Sequence, residues 1–147
     1  MSTRGWKIGL AGVVMALQVH AQAVGRDEPA LSAAQTAIVT TKIARLRGSV
    51  DRQVAEGWSN AKKVAELLCR PAALPILKRQ TKGVDRVFLG TDAPETLTLE
   101  SNRRLTGSGQ YRTPLGWHDF TFTCDLNPET GKIAGFQTKP LPPQPHQ

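Results

Sequence analysis

The sequence predicts an α+β fold in which two or three N-terminal helices pack on a small antiparallel β-meander, with one disulfide joining the layers. Three observations lead there. Apolar residues recur at helical spacing from Ala30 to Leu68 and alternate with polar ones from Val84 to Thr138. Turn-forming Pro, Gly, Asn and Asp divide that second half into short runs. The two cysteines, Cys69 and Cys124, fall one in each half.

The first element is not part of the fold. Arg4 and Lys7 precede the apolar run from Ile8 to Val19, and Ala21-Gln22-Ala23 supplies the small residues of a cleavage site. That order predicts a Sec signal peptide over residues 1–23, cut before Val24. An apolar run of about a dozen residues is short of the roughly 20 needed to span a bilayer, so a retained anchor is the poorer fit. The expected location is periplasmic, in an oxidising compartment, either free or peripheral to the inner membrane. A single domain over residues 24–139 and a proline-rich, mobile tail over 140–147 complete the predicted organisation.

Within the domain, Leu31, Ala34, Ile38, Ile43 and Leu46 share one face of a helix over Ala30 to Arg47. Asp27 or Ser32 can cap it and Gly48 can stop it. Ser49 can cap a second helix whose stripe is Val50, Val54, Trp58, Ala61, Ala65 and Leu68, ending at Cys69-Arg70-Pro71. Ala72 to Gln80 adds a short third helix, weakened by Pro75. Beyond Gly83 the expected strands are Val84 to Leu89, Leu97 to Leu99, Arg104 to Thr113, Trp117 to Leu126 and Lys132 to Thr138. Asn127-Pro128-Glu129-Thr130-Gly131 is the clearest turn, because Pro presets one dihedral and Gly accepts a positive φ.

The run GWHDFTFTC, Gly116 to Cys124, is the richest in reactive side chains and decides whether a catalytic set exists. As a strand it sends His118, Phe120, Phe122, Cys124 and Leu126 to the core and Trp117, Asp119, Thr121 and Thr123 outward. His118 then stands about 20 Å from Cys124 at about 3.3 Å per residue. A Cys/His nucleophile pair needs contact within about 3 Å, so the run predicts a strand and not a dyad. Cys124 instead faces the helix end that carries Cys69. Export and the absence of C-x-x-C spacing favour a Cys69–Cys124 disulfide over a metal site or a reactive thiol.

Other motifs carry no chemistry. Gly107-Ser108-Gly109 lacks the Lys-Ser/Thr of a phosphate loop and predicts a bend or bulge near Tyr111. The carboxylates of Asp92, Glu95, Glu100, Asp119, Asp125 and Glu129 are scattered over turns and outer faces, with no pair to name as acid and base. The expectation is no catalytic residue, no bound metal and no cofactor.

Cys69, Val84-Asp85-Arg86-Val87, Leu105-Thr106-Gly107-Ser108-Gly109-Gln110-Tyr111-Arg112 and the Trp117 to Cys124 run together resemble the exported proteobacterial family called domain of unknown function 930. The resemblance covers about the second half of the chain; it implies paired cysteines and no activity. In size and export the chain is also similar to the small third subunit of membrane-bound quinoprotein alcohol dehydrogenases of acetic acid bacteria. That likeness implies a subunit without a cofactor of its own, supporting the catalytic and cytochrome subunits of an oxidoreductase complex.

Charge separates the remaining functions. The net charge is +7, and losing Arg4 and Lys7 with the leader leaves about five excess positive charges, in groups such as Lys78-Arg79, Lys82 and Arg103-Arg104. No aromatic platform accompanies them and export removes the usual partner, so nucleic acid is not expected. The leading expectation is a non-catalytic accessory subunit that stabilises or assembles a larger protein in the periplasm or at the inner membrane. The alternative is a stand-alone module binding acidic envelope polymers or anionic lipid. Trp117 and Asp119 form the candidate interface, since aromatic residues dominate interface hot spots. The competing role for Trp117 is to lie flat against Thr121, Thr123 and a neighbouring strand.

Overall fold

In the computed structural model, which describes residues 27–91 and 93–143, Ser32 starts the first helix, α1 (Ala33–Ala44). Its hydroxyl accepts from the Gln35 amide at 3.1 Å while Gln35 Oε1 accepts from Ser32 N–H at 2.9 Å, a reciprocal capping box. The predicted signal peptide at 1–23 and the last four residues lie outside the described residues. Val39 and Ile43 are buried, with Leu31, Ile38 and Leu46 packed half-buried beside them.

The second predicted helix is not one rod. α2 (Ser49–Glu56) ends at Gly57, and Ser59 caps a new helix by accepting from Lys62 N–H at 3.1 Å. Gly57 favours an end and Ser59 a start, so local chemistry overrides the apolar stripe. Val50 and Val54 are consequently 68% and 55% exposed.

The predicted stop at Cys69-Arg70-Pro71 is also absent. α3 (Asn60–Val64) passes through a π turn, Ala65–Cys69, directly into α4 (Arg70–Gln80). Proline is tolerated where its missing N–H leaves no orphan. Pro71 cannot donate to the carbonyl of Leu67, and that carbonyl accepts from Lys42 Nζ on α1. The predicted third helix is thus the continuation of the rod, and Cys69, Ala73 and Leu77 are buried along it.

Five antiparallel strands form one sheet: β1 (Arg86–Leu89), β2 (Leu97–Ser101), β3 (Arg104–Thr113), β4 (Gly116–Leu126) and β5 (Ile133–Pro140). β2 to β5 are a meander, and β1 shares one side of β3 with β2, pairing Gly109 to Arg112 where β2 pairs Arg104 to Gly107. The helices cover one face, so the α+β architecture follows the pattern of the sequence. Phe120, Phe122, Cys124 and Leu126 alternate into the core with Leu105 opposite them. Cys69 and Cys124 form a disulfide with Cα atoms 6.2 Å apart.

Two local expectations are corrected. β3 pairs with β4 without interruption through Gly107 and Gly109, and the irregularities fall instead at Leu99/Ser101 and Asp125/Leu126. The glycines meet a different need, for Phe120 and Phe122 lie opposite them and fill the space their side chains would take. The tail, for its part, does not leave the fold at Pro140. That residue ends β5, and Leu141 N–H donates to the Asp119 carbonyl at 2.9 Å.

The Asn127 to Gly131 turn forms as expected and has a tertiary role. Ser32 Oγ donates to the Pro128 carbonyl and Gln35 Nε2 to the Asn102 carbonyl, each at 2.6 Å, fixing α1 across two sheet turns. Gly131 has φ +71°, and a Cβ there would lie 2.7 Å from Ile38 Cδ1, so glycine is required both by conformation and by the close approach of α1.

Candidate functional site: the open face of the sheet

The uncovered face is built from rows that run across β3, β4 and β5. Register places Thr106, Thr123 and Gln137 in one row, Ser108, Thr121 and Lys139 in the next, and Gln110 and Asp119 in a third. Arg112 and Trp117 form the row at the far end. The middle rows carry short hydroxyl side chains and floor a shallow trough of about 580 Å³. The far rows carry long planar ones.

Trp117 packs onto another strand, through Phe88 rather than Thr121 or Thr123. It crosses β3 to stack on Phe88 of β1, with ring centroids 5.5 Å apart, and the Arg112 guanidinium lies 5.8 Å from its centroid. Yet Trp117 remains 45% exposed and Phe88 40% exposed. Beside them Gln110 Nε2 donates to Asp119 Oδ1 at 2.7 Å, which orients the carboxylate across the strand pair. Arg112 gives two parallel hydrogen bonds, at 2.9 and 2.8 Å, to the carboxylate of Asp85. That fork holds Asp85 below the usual carboxylate range and raises Arg112, the hydrogen bond being the largest cause of each shift.

Phe88 leads on to a second aromatic residue. Trp58, Lys62, Glu66 and Arg70 of the helical layer and Phe88 and Gly90 of the sheet line one hollow of about 420 Å³. Glu66 there pairs with Lys62 at 2.9 Å and Arg70 at 3.2 Å, and Lys62 Nζ lies 6.0 Å from the Trp58 ring centroid. The aromatic band thus runs from Trp58 past Phe88 to Trp117. Sequence reasoning placed Trp117 and Asp119 on it and missed the other two, because Trp58 fitted a helical stripe. Phe88 was findable, since it sits out of phase with Val87 and Leu89 in its own strand.

His118 belongs to the opposite face. Its Nε2 lies 2.8 Å from Thr113 Oγ1 and its ring stacks on Tyr111 at 5.0 Å. Its partners are on β3 and are packing partners. His118→Ala is expected to cost about 1 to 2 kcal/mol of stability, read from denaturant midpoints, by leaving the Thr113 hydroxyl with the Leu115 N–H alone and by unpacking Tyr111.

Four carboxylates at or near this face are engaged: Asp85 with Arg112, Asp125 with Arg104, Glu66 with Lys62 and Arg70, and Asp119 with Gln110. Among the described residues there is no group of three or more His, Cys, Asp or Glu side chains placed to hold a metal ion, and no helix is long and apolar enough to cross a membrane. What the open face offers chemically is stacking surface, a fixed guanidinium and an oriented carboxylate. Comparison with protein-family models, curated proteins and solved structures finds no match for the chain.

Proposed function

We propose that the protein is a non-catalytic accessory subunit of the periplasm that docks a larger exported or inner-membrane-associated protein through the Phe88–Trp117 end of the open sheet face. The exposed aromatic stack carries this reading. Two large rings held rigid by each other and by Arg112 lose little entropy on binding and bring large desolvated area, which is the character of an interface anchor. The polar frame of Asp119, Gln110 and Arg112 supplies directional contacts around it. The resemblance to the third subunit of quinoprotein alcohol dehydrogenases supports a dehydrogenase and cytochrome pair as the partner to look for first.

Purification of the tagged protein from gently solubilised membranes, followed by identification of what accompanies it, tests the proposal. A stoichiometric larger protein is expected, with affinity reduced about 30-fold or more in Trp117→Ala, the loss for a hot-spot aromatic. Recovery of the protein alone, or a complex indifferent to both Trp117→Ala and Phe88→Ala, would refute docking by this face.

A further inference from the structure

A hollow of about 620 Å³ lies between α4 and the start of β1, beside the aromatic band and lined by none of its rings. Its helical wall is the row Arg70, Leu74 and Lys78, spaced four residues apart on one face of α4. Its other wall is Arg86 and Val87 of the strand, and the rings of Pro71 and Pro75 stiffen the rim. The floor is apolar, with Val87 buried and Leu74 half-buried.

The charges around this floor are unbalanced. Three cations, Arg70, Lys78 and Arg86, face one carboxylate, Asp85, whose hydrogen bonds go to Arg112 outside the hollow and which also attracts Arg86. Arg70 is paired with Glu66, whereas Lys78 and Arg86 make no salt bridge among the described residues. Arg79 and Lys82 stand exposed close by in sequence and add to the positive field. A neutral apolar ligand would leave these cations uncompensated, and a small hydrophilic anion would leave the floor unused.

We infer that the hollow binds an anionic amphiphile, its phosphate or carboxylate held between Lys78 and Arg86 and the first carbons of its acyl chain on Leu74 and Val87. The volume is within the range of small-ligand sites and the wall between the prolines is rigid, so little has to be ordered on binding. The shared chemistry, one anionic head on an aliphatic chain, can come from a free acyl anion or from a phospholipid in a bilayer. The site adjoins the aromatic face through Arg70 and the Asp85–Arg112 fork, and no aromatic ring lines it.

The test is a titration of the isotope-labelled protein with dodecyl phosphate below its micelle concentration, following backbone amide shifts, with dodecyl maltoside as the neutral counterpart. Shifts centred on Arg70 to Lys78 and on Arg86 and Val87 are expected with the phosphate and not with the maltoside. The Lys78→Gln/Arg86→Gln double variant, both exposed positions, should bind about tenfold more weakly from the loss of two screened charge contacts, while Trp117→Ala binds as wild type. Flotation with phosphatidylglycerol vesicles but not phosphatidylcholine ones would assign the bilayer as the source. Binding of the monomer without flotation would assign a free acyl anion. Shifts elsewhere, an equal response to the maltoside, or unchanged affinity in the double variant would overturn the site.

Discussion

Replacing Cys69 and Cys124 together by alanine is expected to lower stability by about 4 kcal/mol, seen as a fall of roughly 15 °C in Tm. The bond spans a sequence separation of 55 and connects the π turn to β4 near its C-terminal end, so it closes a loop through both layers of the domain. Both residues are fully buried, with the helical layer on one side and Leu105 and Phe136 paired to Cys124 on the other. Beyond the two sulfur atoms the packing around them is retained, so the main effect is the entropy returned to the unfolded chain. Total stability of a domain this size is commonly about 5 to 15 kcal/mol, and a loss of 4 leaves a marginal fold. Thermal unfolding of the variant beside the oxidised and reduced wild type measures it. A variant within about 3 °C of the oxidised protein would contradict the loop-closure account, and two free thiols in non-reducing peptide maps would contradict the bond itself.

The strand half of this fold is legible residue by residue because alternation and turn chemistry are local. Phe120, Phe122, Cys124 and Leu126 could be placed inward from spacing alone, and Cys69 could be matched to Cys124 from the expected compartment and the missing C-x-x-C spacing. The helical half is less legible because its decisive features compete. Gly57 and Ser59 break a stripe that periodicity would continue, while Pro71 and Pro75 sit inside a rod that they should end. That rod survives in part because Lys42, on another helix, satisfies the carbonyl of Leu67, a tertiary fact with no local signature. The candidate face was half visible for the same reason. Trp117 and Asp119 share one strand with a clear period, whereas Phe88 and Trp58 join them only through the pairing of β1 with β3 and the turn of the helices. Gln35 is the opposite case: a buried polar residue that patterning assigns to solvent, kept in the core by its cap and by the Asn102 carbonyl.

The same pairing of β1 with β3 makes Gly109→Ala a severely damaging single methyl for the sheet. A Cβ there would lie 2.6 Å from the carbonyl oxygen of Phe88 and 2.8 Å from Phe120 Cζ. The first contact is backbone and cannot rotate away; the second is the most deeply buried ring of the core, 1% exposed. Either β1 moves off β3 or Phe120 leaves its rotamer, and overpacking of this kind costs about 3 kcal/mol. Gly135→Ala in β5 is the matched control, because its nearest atom would be Asp125 Oδ2 at 3.9 Å. With space available, that substitution is expected to be neutral or to stabilise by about 0.5 kcal/mol through the unfolded chain. The denaturant midpoint of Gly109→Ala should therefore fall well below wild type while that of Gly135→Ala stays at or slightly above it. Because Phe88 carries the stack with Trp117, Gly109→Ala should also shift the tryptophan fluorescence of the folded protein, which Gly135→Ala leaves unchanged. Equal stabilities for the two variants would mean that β1 yields freely, and that the aromatic stack it carries is not the rigid anchor proposed for docking.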